Sequence, residues 1–163
     1  MKEVDMATAM KEGMRRLASG VCIVSAQADS GERTAMTATS ITSVSDSPAS
    51  LLVCINRDTS MHSILSKGGD FAVNLLHNHQ QELSNHCASG DQGEQRFGIG
   101  QWQESEGTPY LDDCLAVFIC KQAQTVTFGT HDIVIGEIAH VKVADDENID
   151  PLLYLNGGYH SIG

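Results

Sequence analysis

The spacing of apolar residues changes along the chain. Met6, Met10, Met14 and Leu17 recur every three or four positions, with Ala7 and Ala18 beside them and Gly20 just beyond. That period gathers apolar side chains on one face of a helix, and the expectation is an amphipathic helix over 8–19 whose methionine-rich face packs on a core. After Gly20 the pattern shortens to that of strands. β-branched and aromatic runs at 21–26, 33–45, 51–56, 71–76, 116–128 and 132–143 fit a pleated, half-buried surface. Short helices are expected at 60–66, where Met61, Ile64 and Leu65 share a side, and at 80–88. Gly31 and the pair Gly129–Thr130 mark turns between strands. Strands that mostly follow one another, with helices only at the start and in connections, predict a mainly β fold. The specific expectation is an antiparallel barrel rather than a doubly wound parallel sheet.

Length and charge narrow the function. The 163 residues suit one domain, and with only Pro48, Pro109 and Pro151 and no repeat or linker, residues 1–163 read as one unit. Ten Lys and Arg against 21 Asp and Glu leave a formal charge of −11. This excludes a nucleic-acid binder, whose affinity rests on basic residues neutralising phosphates, and it disfavours anionic membrane surfaces. No apolar run approaches the roughly 20 residues of a membrane helix. The charged start Met1-Lys2-Glu3-Val4-Asp5 lacks the core of a signal peptide, so the expected location is cytoplasmic. Cys22, Cys54, Cys87, Cys114 and Cys120 form an odd set without C-x-x-C spacing, as reduced thiols do. Cys22, Cys54 and Cys120 lie in apolar strand runs and read as small buried hydrophobes rather than nucleophiles.

The segment Thr34-Ala35-Met36-Thr37-Ala38-Thr39-Ser40-Ile41-Thr42-Ser43-Val44-Ser45 carries hydroxyls on seven of twelve residues. On a pleat both faces would present hydroxyls, and the small side chains would let backbone N–H and C=O groups approach a flat polar heterocycle such as a flavin. A Thr- and Ser-rich strand at a solvent-exposed edge is the equal alternative. Beyond Pro48 and an apolar strand, Asn56-Arg57-Asp58-Thr59-Ser60 opens a short helix. Arg57 and the hydroxyls of Thr59 and Ser60 could hold a phosphate there, or Thr59 or Ser60 could simply cap the helix. His77, His79 and His86 are the best metal candidates, although no acidic or cysteine partner stands at a familiar spacing and a solvated loop is the preferred reading. No metal is expected.

Taken in order, the hydroxyl strand ending in Pro48, the apolar strand and the N-R-x-T-S turn resemble the flavin reductase family. The resemblance continues through Phe71-Ala72-Val73-Asn74-Leu75-Leu76, Arg96-Phe97 and Gly129-Thr130-His131-Asp132-Ile133-Val134-Ile135-Gly136-Glu137-Ile138. It closes on Pro151-Leu152-Leu153-Tyr154-Leu155-Asn156-Gly157-Gly158-Tyr159, so that most of the chain from about Met14 onward is covered. The implied fold is the FMN-binding split barrel, a six-stranded antiparallel barrel of Greek-key type with an N-terminal helix. The implied activity is reduction of FMN or FAD by NADH or NADPH in a homodimer, with reduced flavin passed to a separate flavin-dependent oxygenase. The resemblance also assigns residues. Thr37, Ala38, Thr39, Ser40 and Ser43 would line the flavin ring and ribityl chain, and Asn56, Arg57, Thr59, Ser60 and Ser63 the ribityl and phosphate segment. Arg96 and Phe97 would complete the pocket. His131 would stand near the nicotinamide as an orienting or proton-donating residue, and Gly158, Tyr159 and His160 would face the dinucleotide.

Two departures stand out. Thr130 takes the place where the family has Asp, and Ala49 replaces the second residue of a Pro-Pro pair. The absence of a G-x-G-x-x-G fingerprint excludes a Rossmann-type dinucleotide site. The absence of a basic cluster near the C-terminus favours NADH over NADPH. Arg15, Arg16 and Arg33 are expected to be solvated. The same barrel could instead serve a non-catalytic flavin- or haem-binding protein or a pyridoxamine-phosphate-oxidase-like enzyme.

Overall fold

A computed structural model of the chain describes residues 5–88, 93–145, 147 and 149–162. It opens with helix α1 (Met6–Met14), followed by β1 (Ser19–Gly20), β2 (Cys22–Gln27), β3 (Arg33–Ala38), β4 (Ile41–Asp46) and β5 (Ala49–Asn56). Helix α2 (Ser60–Leu65) leads to β6 (Phe71–Leu75), a 3-10 turn (Asn78–Gln80) and helix α3 (Gln81–Ala88). A 3-10 segment (Gly93–Phe97), the hairpin β7 (Trp102–Ser105) and β8 (Thr108–Leu111), and the long pair β9 (Ala116–Phe128) and β10 (His131–Val143) come next. The chain closes on β11 (Leu153–Leu155) and β12 (Gly158–His160).

Seven strands form one antiparallel sheet in the order β3-β2-β6-β9-β10-β5-β4. Its two outermost strands, β3 and β4, are consecutive in the chain and separated only by Thr39 and Ser40. The three Cα–Cα steps from Ala38 to Ile41 span at most about 11 Å when extended, so the sheet has to curl until its edges nearly meet. The result is a barrel split along one seam. The single strand expected over 33–45 is therefore two strands, and six predicted runs become seven. At the crossing, Cys54 N donates to Ser40 O and Ser40 Oγ donates to Cys54 O, both at 3.1 Å, which carries the chain from one edge to the other.

Successive residues of the central strands face opposite ways, and both sides are buried. Val24, Val53, Ile55, Met61, Phe71, Val73 and Val134 fill the barrel interior. Val21, Ile23, Ala72, Leu76, Leu83, Leu111 and Leu152 form a second cluster outside it, beneath α3 and the β7–β8 hairpin. Asn74, fully buried, joins the hairpin to the sheet. Its Nδ2 donates to Ile23 O (2.8 Å) and Ser25 Oγ (3.0 Å), while Oδ1 accepts from Leu111 N (2.8 Å).

The first helix departs from expectation. It spans Met6–Met14 rather than 8–19, because Ser19 and Gly20 pair with Tyr154 and Leu153 of β11. Asn156 N also donates to Arg15 O (2.8 Å), so strand pairing and this bond claim the residues that helical periodicity would have kept. The turn that reaches Arg15 is Asn156-Gly157, with φ of 53° and 77°, the left-handed pair that a tight hairpin between β11 and β12 requires. Nor does the methionine face pack on a core. No residue of α1 is buried, and Met6, Met10, Met14 and Leu17 are all exposed.

Cys22, Cys87, Cys114 and Cys120 are buried, whereas Cys54, expected inside, is half-buried. Burial pushes the Cys22, Cys114 and Cys120 thiols up to about 12 and Cys87 to about 11. None of these four is a thiolate nucleophile at neutral pH. The three arginines expected to be solvated all make contacts: Arg15 Nη2 donates to Asn156 O (3.3 Å), Arg16 Nη1 lies 3.8 Å from the Glu12 carboxylate while staying largely exposed, and Arg33 pairs with Glu94. Among the described residues no helix is long and apolar enough to cross a membrane.

Candidate functional site

The hydroxyl strand borders three recesses in succession. Thr37, at the end of β3, opens on a cavity of about 390 Å³ whose polar lining includes Asp58, Thr59, Ser60 and Arg96. Thr37 and Ala88 also border a recess of about 200 Å³ shared with Ala38, Thr39 and Tyr159. Thr39 and Tyr154 in turn border the largest space, about 790 Å³, which continues past Ser40, Ile41 and Thr42. Shared walls make these one groove along the barrel seam. Polar at one end, where Arg96 and Asp58 are both in the lining, it becomes largely apolar at the other, where Met10, Met14, Leu17, Leu52 and Leu155 line it with Lys11 and Arg15.

Local hydrogen bonds hold the walls. Thr37 Oγ1 donates to Ser84 O (2.6 Å), tying β3 to α3, and Ser84 Oγ shares a 2.7 Å bond with the Tyr159 hydroxyl, tying α3 to β12. Asn56 shapes the turn before α2: its Oδ1 accepts from Asp58 N (2.9 Å), and its carbonyl accepts from Thr59 Oγ1 (2.7 Å). Thr59 caps α2, accepting from His62 N at 3.3 Å, and also lines the cavity. Ser60 Oγ lies 3.1 Å from Thr34 Oγ1 and bridges to β3. Arg96 reaches the cavity from the 3-10 segment with its Nη1 donating to Ala35 O (2.7 Å).

The groove brings together eight of the sequence-derived candidates: Thr37, Ala38, Thr39, Ser40, Thr59, Ser60, Arg96 and Tyr159. The others lie elsewhere in this chain. Ser43 is exposed on β4 and Ser63 is exposed on α2. Asn56 acts through its turn. Arg57 is exposed, its backbone N–H donates to Thr130 O (3.0 Å), and its charge helps to lower the pKa of Asp132. The Phe97 ring packs against Trp102 at a tilt of 58°, with centroids 4.5 Å apart. Gly158 sits in β12, and His160 Nε2 donates to Leu155 O (3.1 Å). His131, exposed at the start of β10, pairs in register with Asn56 and shares a 2.8 Å bond with Thr130 Oγ1.

The histidines considered for a metal do not converge. His77 and His79 stack at 4.9 Å, while His86 Nε2 donates to Gln95 O (2.6 Å). Among the described residues no group of three or more His, Cys, Asp or Glu is placed to hold a metal ion.

Sequence reasoning missed Asp58, Met36 and Ala88 at the polar end and Lys11, Arg15 and Tyr154 at the apolar end. Asp58 and Tyr154 stood inside the quoted motifs. Lys11 and Arg15 are one helical turn apart, a spacing that places both cations on one side of the N-terminal segment.

Beneath the turn, buried Asp132 links three elements: its Oδ1 accepts from Thr127 Oγ1 (2.7 Å) and its Oδ2 lies 2.9 Å from His62 Nε2. The Thr127 hydroxyl, then His62 and Arg57, hold its carboxyl below the usual aspartate range.

Residues 14–163 match the family described as flavin reductase like domain. The chain is 37% identical over 155 residues to the FMN reductase (NADH) RutF of Pseudomonas syringae pv. syringae (strain B728a), covering 94% of this chain and 85% of that one. It is 38% identical over 148 residues to the reductase component of the FADH(2)-dependent resorcinol hydroxylase of Rhizobium sp. (strain MTP-10005), covering 90% and 82%. In three dimensions it superimposes on the NADH:FAD oxidoreductase SgcE6 of Streptomyces globisporus C-1027, solved with NAD and FAD fragments. The TM-score is 0.88 at 26% identity, with 100% of this chain and 98% of that one covered. A seamed barrel bordered by a hydroxyl strand, with these likenesses over nearly its whole length, places the chain in the flavin reductase family.

Proposed function

We propose that residues 1–163 form one NAD(P)H:flavin oxidoreductase domain that reduces FMN or FAD and supplies the reduced flavin to a separate oxygenase. The observation that carries this reading is the groove along Thr37–Ser40, whose polar end gathers hydroxyls with Arg96 and whose other end is largely apolar, with Lys11 and Arg15 at its border. It suits a molecule with a phosphate at one end and a flat ring at the other. At Ala38, Thr39 and Ser40 only methyl and hydroxyl groups stand between a ring and the backbone, so main-chain donors and acceptors can approach its polar edge. Arg96, Thr59 and Ser60 would hold the phosphate, with Asp58 opposing them and restricting how much negative charge the pocket accepts.

A flavin held by Arg96, Thr59, Ser60 and the backbone of Ala38–Ser40 would supply the redox chemistry, as the hydride acceptor for a reduced nicotinamide. The protein's own task is alignment and exclusion of water, in keeping with a groove in which no nucleophile–base pair stands among the described residues. Lys11 and Arg15 border the large recess and would meet the dinucleotide phosphates, with Tyr154 and the Asn156–Gly157 turn as its outer wall. This placement reconciles a net charge of −11 with two phosphorylated ligands: the useful cations are local.

The working form is proposed to be a homodimer. Exposure of the α1 methionines, and of Phe128 at 80%, supports a second copy covering these apolar groups. His131, which lies outside the groove of its own chain, is proposed to act near the nicotinamide in that assembly. Five free thiols support a reducing, cytoplasmic setting.

Turnover tests the reading directly. Mixing the protein with NADH and excess FMN in air should consume NADH at a rate that depends on both. NADH left unconsumed while flavin binds would turn the assignment to a non-catalytic flavin-binding protein. Sedimentation as single chains at assay concentration would remove the dimer.

A further inference from the structure

The 3-10 segment Gly93–Phe97 delivers Arg96 to the polar end of the groove, yet none of its residues is buried. Its position therefore depends on side-chain contacts at its borders. Three of these lie along β3. Arg33 meets Glu94 with both arms of its guanidinium, Nε donating to Oε1 (2.8 Å) and Nη2 to Oε2 (2.6 Å). The same guanidinium lies over the Phe97 ring, 4.0 Å from its centroid. Arg96 donates to Ala35 O. Arg33, Ala35 and Thr37 alternate along one strand and share a face, so the clamp, the anchor and the groove wall form one ladder. We propose that Arg33, through Glu94 and Phe97, is the positioning residue for Arg96 and thereby sets the preference for flavins that carry a phosphate.

This rests on the reading of the polar end as the phosphate pocket. A guanidinium that grips a carboxylate with two parallel bonds and stacks on an aromatic ring defines an orientation as well as a distance, which lysine's single ammonium cannot do. Loss of the grip would let the segment shift, and Arg96 would no longer meet a phosphate in one fixed geometry. The flavin ring and ribityl chain, held by other walls, would be indifferent to the change.

The probes are FMN and riboflavin, which share ring and ribityl chain and differ by the phosphate. Their dissociation constants are measured by fluorescence quenching on full-length wild-type protein and on Arg33→Ala, Arg33→Lys, Glu94→Gln, the exchanged pair Arg33→Glu/Glu94→Arg, and Arg96→Ala. Arg33→Ala and Glu94→Gln should each weaken FMN by about 3–10-fold, the scale of an exposed but well-formed ion pair with a stacked cation. Riboflavin binding should change less than about twofold on the same principle. Arg33→Lys should behave like Arg33→Ala, and the exchanged pair should recover part of the FMN affinity. FMN and riboflavin weakening together, or neither weakening, would overturn the clamp and leave the pair a surface contact. Arg96→Ala separates the two layers. If it abolishes the FMN preference while the Arg33 and Glu94 variants keep it, only the clamp fails; if it leaves the preference intact, the phosphate pocket fails and the clamp with it.

Discussion

Gly136→Ala should destabilise the protein by about 1–2 kcal/mol while leaving flavin affinity alone. Gly136 belongs to the motif that begins at Gly129, and it lines none of the three recesses along the seam. A Cβ there would stand 2.6 Å from Phe71 Cζ and 2.7 Å from Cys120 Cβ, against about 3.5–4.0 Å for ordinary carbon contacts. One or both neighbours must retreat by about 1 Å, and both are fully buried in a close-packed interior. Overpacking of this kind costs about 1–3 kcal/mol. Gly136 does not have a positive φ, so alanine can adopt its backbone, and the reduced freedom of the unfolded chain returns about 0.4–1 kcal/mol. For a chain of this size the difference lowers the melting temperature by about 2–8 °C. Circular-dichroism melts and urea titrations, with an unchanged m value, would measure it. Adding Phe71→Leu should relieve the crowding, so the double variant loses less than the two single losses added, by about 0.5 kcal/mol or more. A Gly136→Ala protein that melts at or above wild type, or effects that add, would refute the packing argument. So would a loss of FMN affinity at unchanged stability.

Two further outcomes follow from the hydrogen-bond network. Tyr159→Phe strands Ser84 Oγ, a fully buried group, without its 2.7 Å partner and should cost about 1–3 kcal/mol; adding Ser84→Ala should cost little more, and strictly additive melts would refute the bond. Asp132, held below its ordinary 3.8, adds stability that is complete above that value and fades as pH falls through the lowered one. Asp132→Asn should therefore be less stable at neutral pH and flatten the acid limb of a series of urea midpoints, and a limb of unchanged slope would count against the Thr127–Asp132–His62 link.

Strand residues were legible because burial imposes a period on them. The runs at 51–56, 71–76, 116–128 and 132–143 coincide with β5, β6, β9 and β10 to within two residues at either end. The first helix was misread at its C-terminal end because Ser19 and Gly20 answer to β11, some 130 residues further on, and local spacing carries no sign of such a partner. Residues 33–45 looked like one strand because the hydroxyl pattern runs unbroken through Thr39 and Ser40, where the chain changes from one sheet edge to the other. The short pairs β7–β8 and β11–β12 have too few residues for a period to emerge, although Asn156-Gly157 was a turn signal in plain view.

Residue order alone determined the family, the excess of acid, the hydroxyl strand and the turn that opens α2, since each depends on composition or on neighbours in the chain. Only the tertiary structure decided which candidates meet. Thr37, Thr59 and Arg96 lie on three separate elements and share a cavity because the sheet curls and the segment after α3 folds back onto β3. Arg57, two residues from Thr59, lines none of these recesses; its backbone N–H is paired with Thr130 O of the β9–β10 turn. Direction at a turn is set by long-range pairing and packing, and these form only once distant strands have closed the barrel.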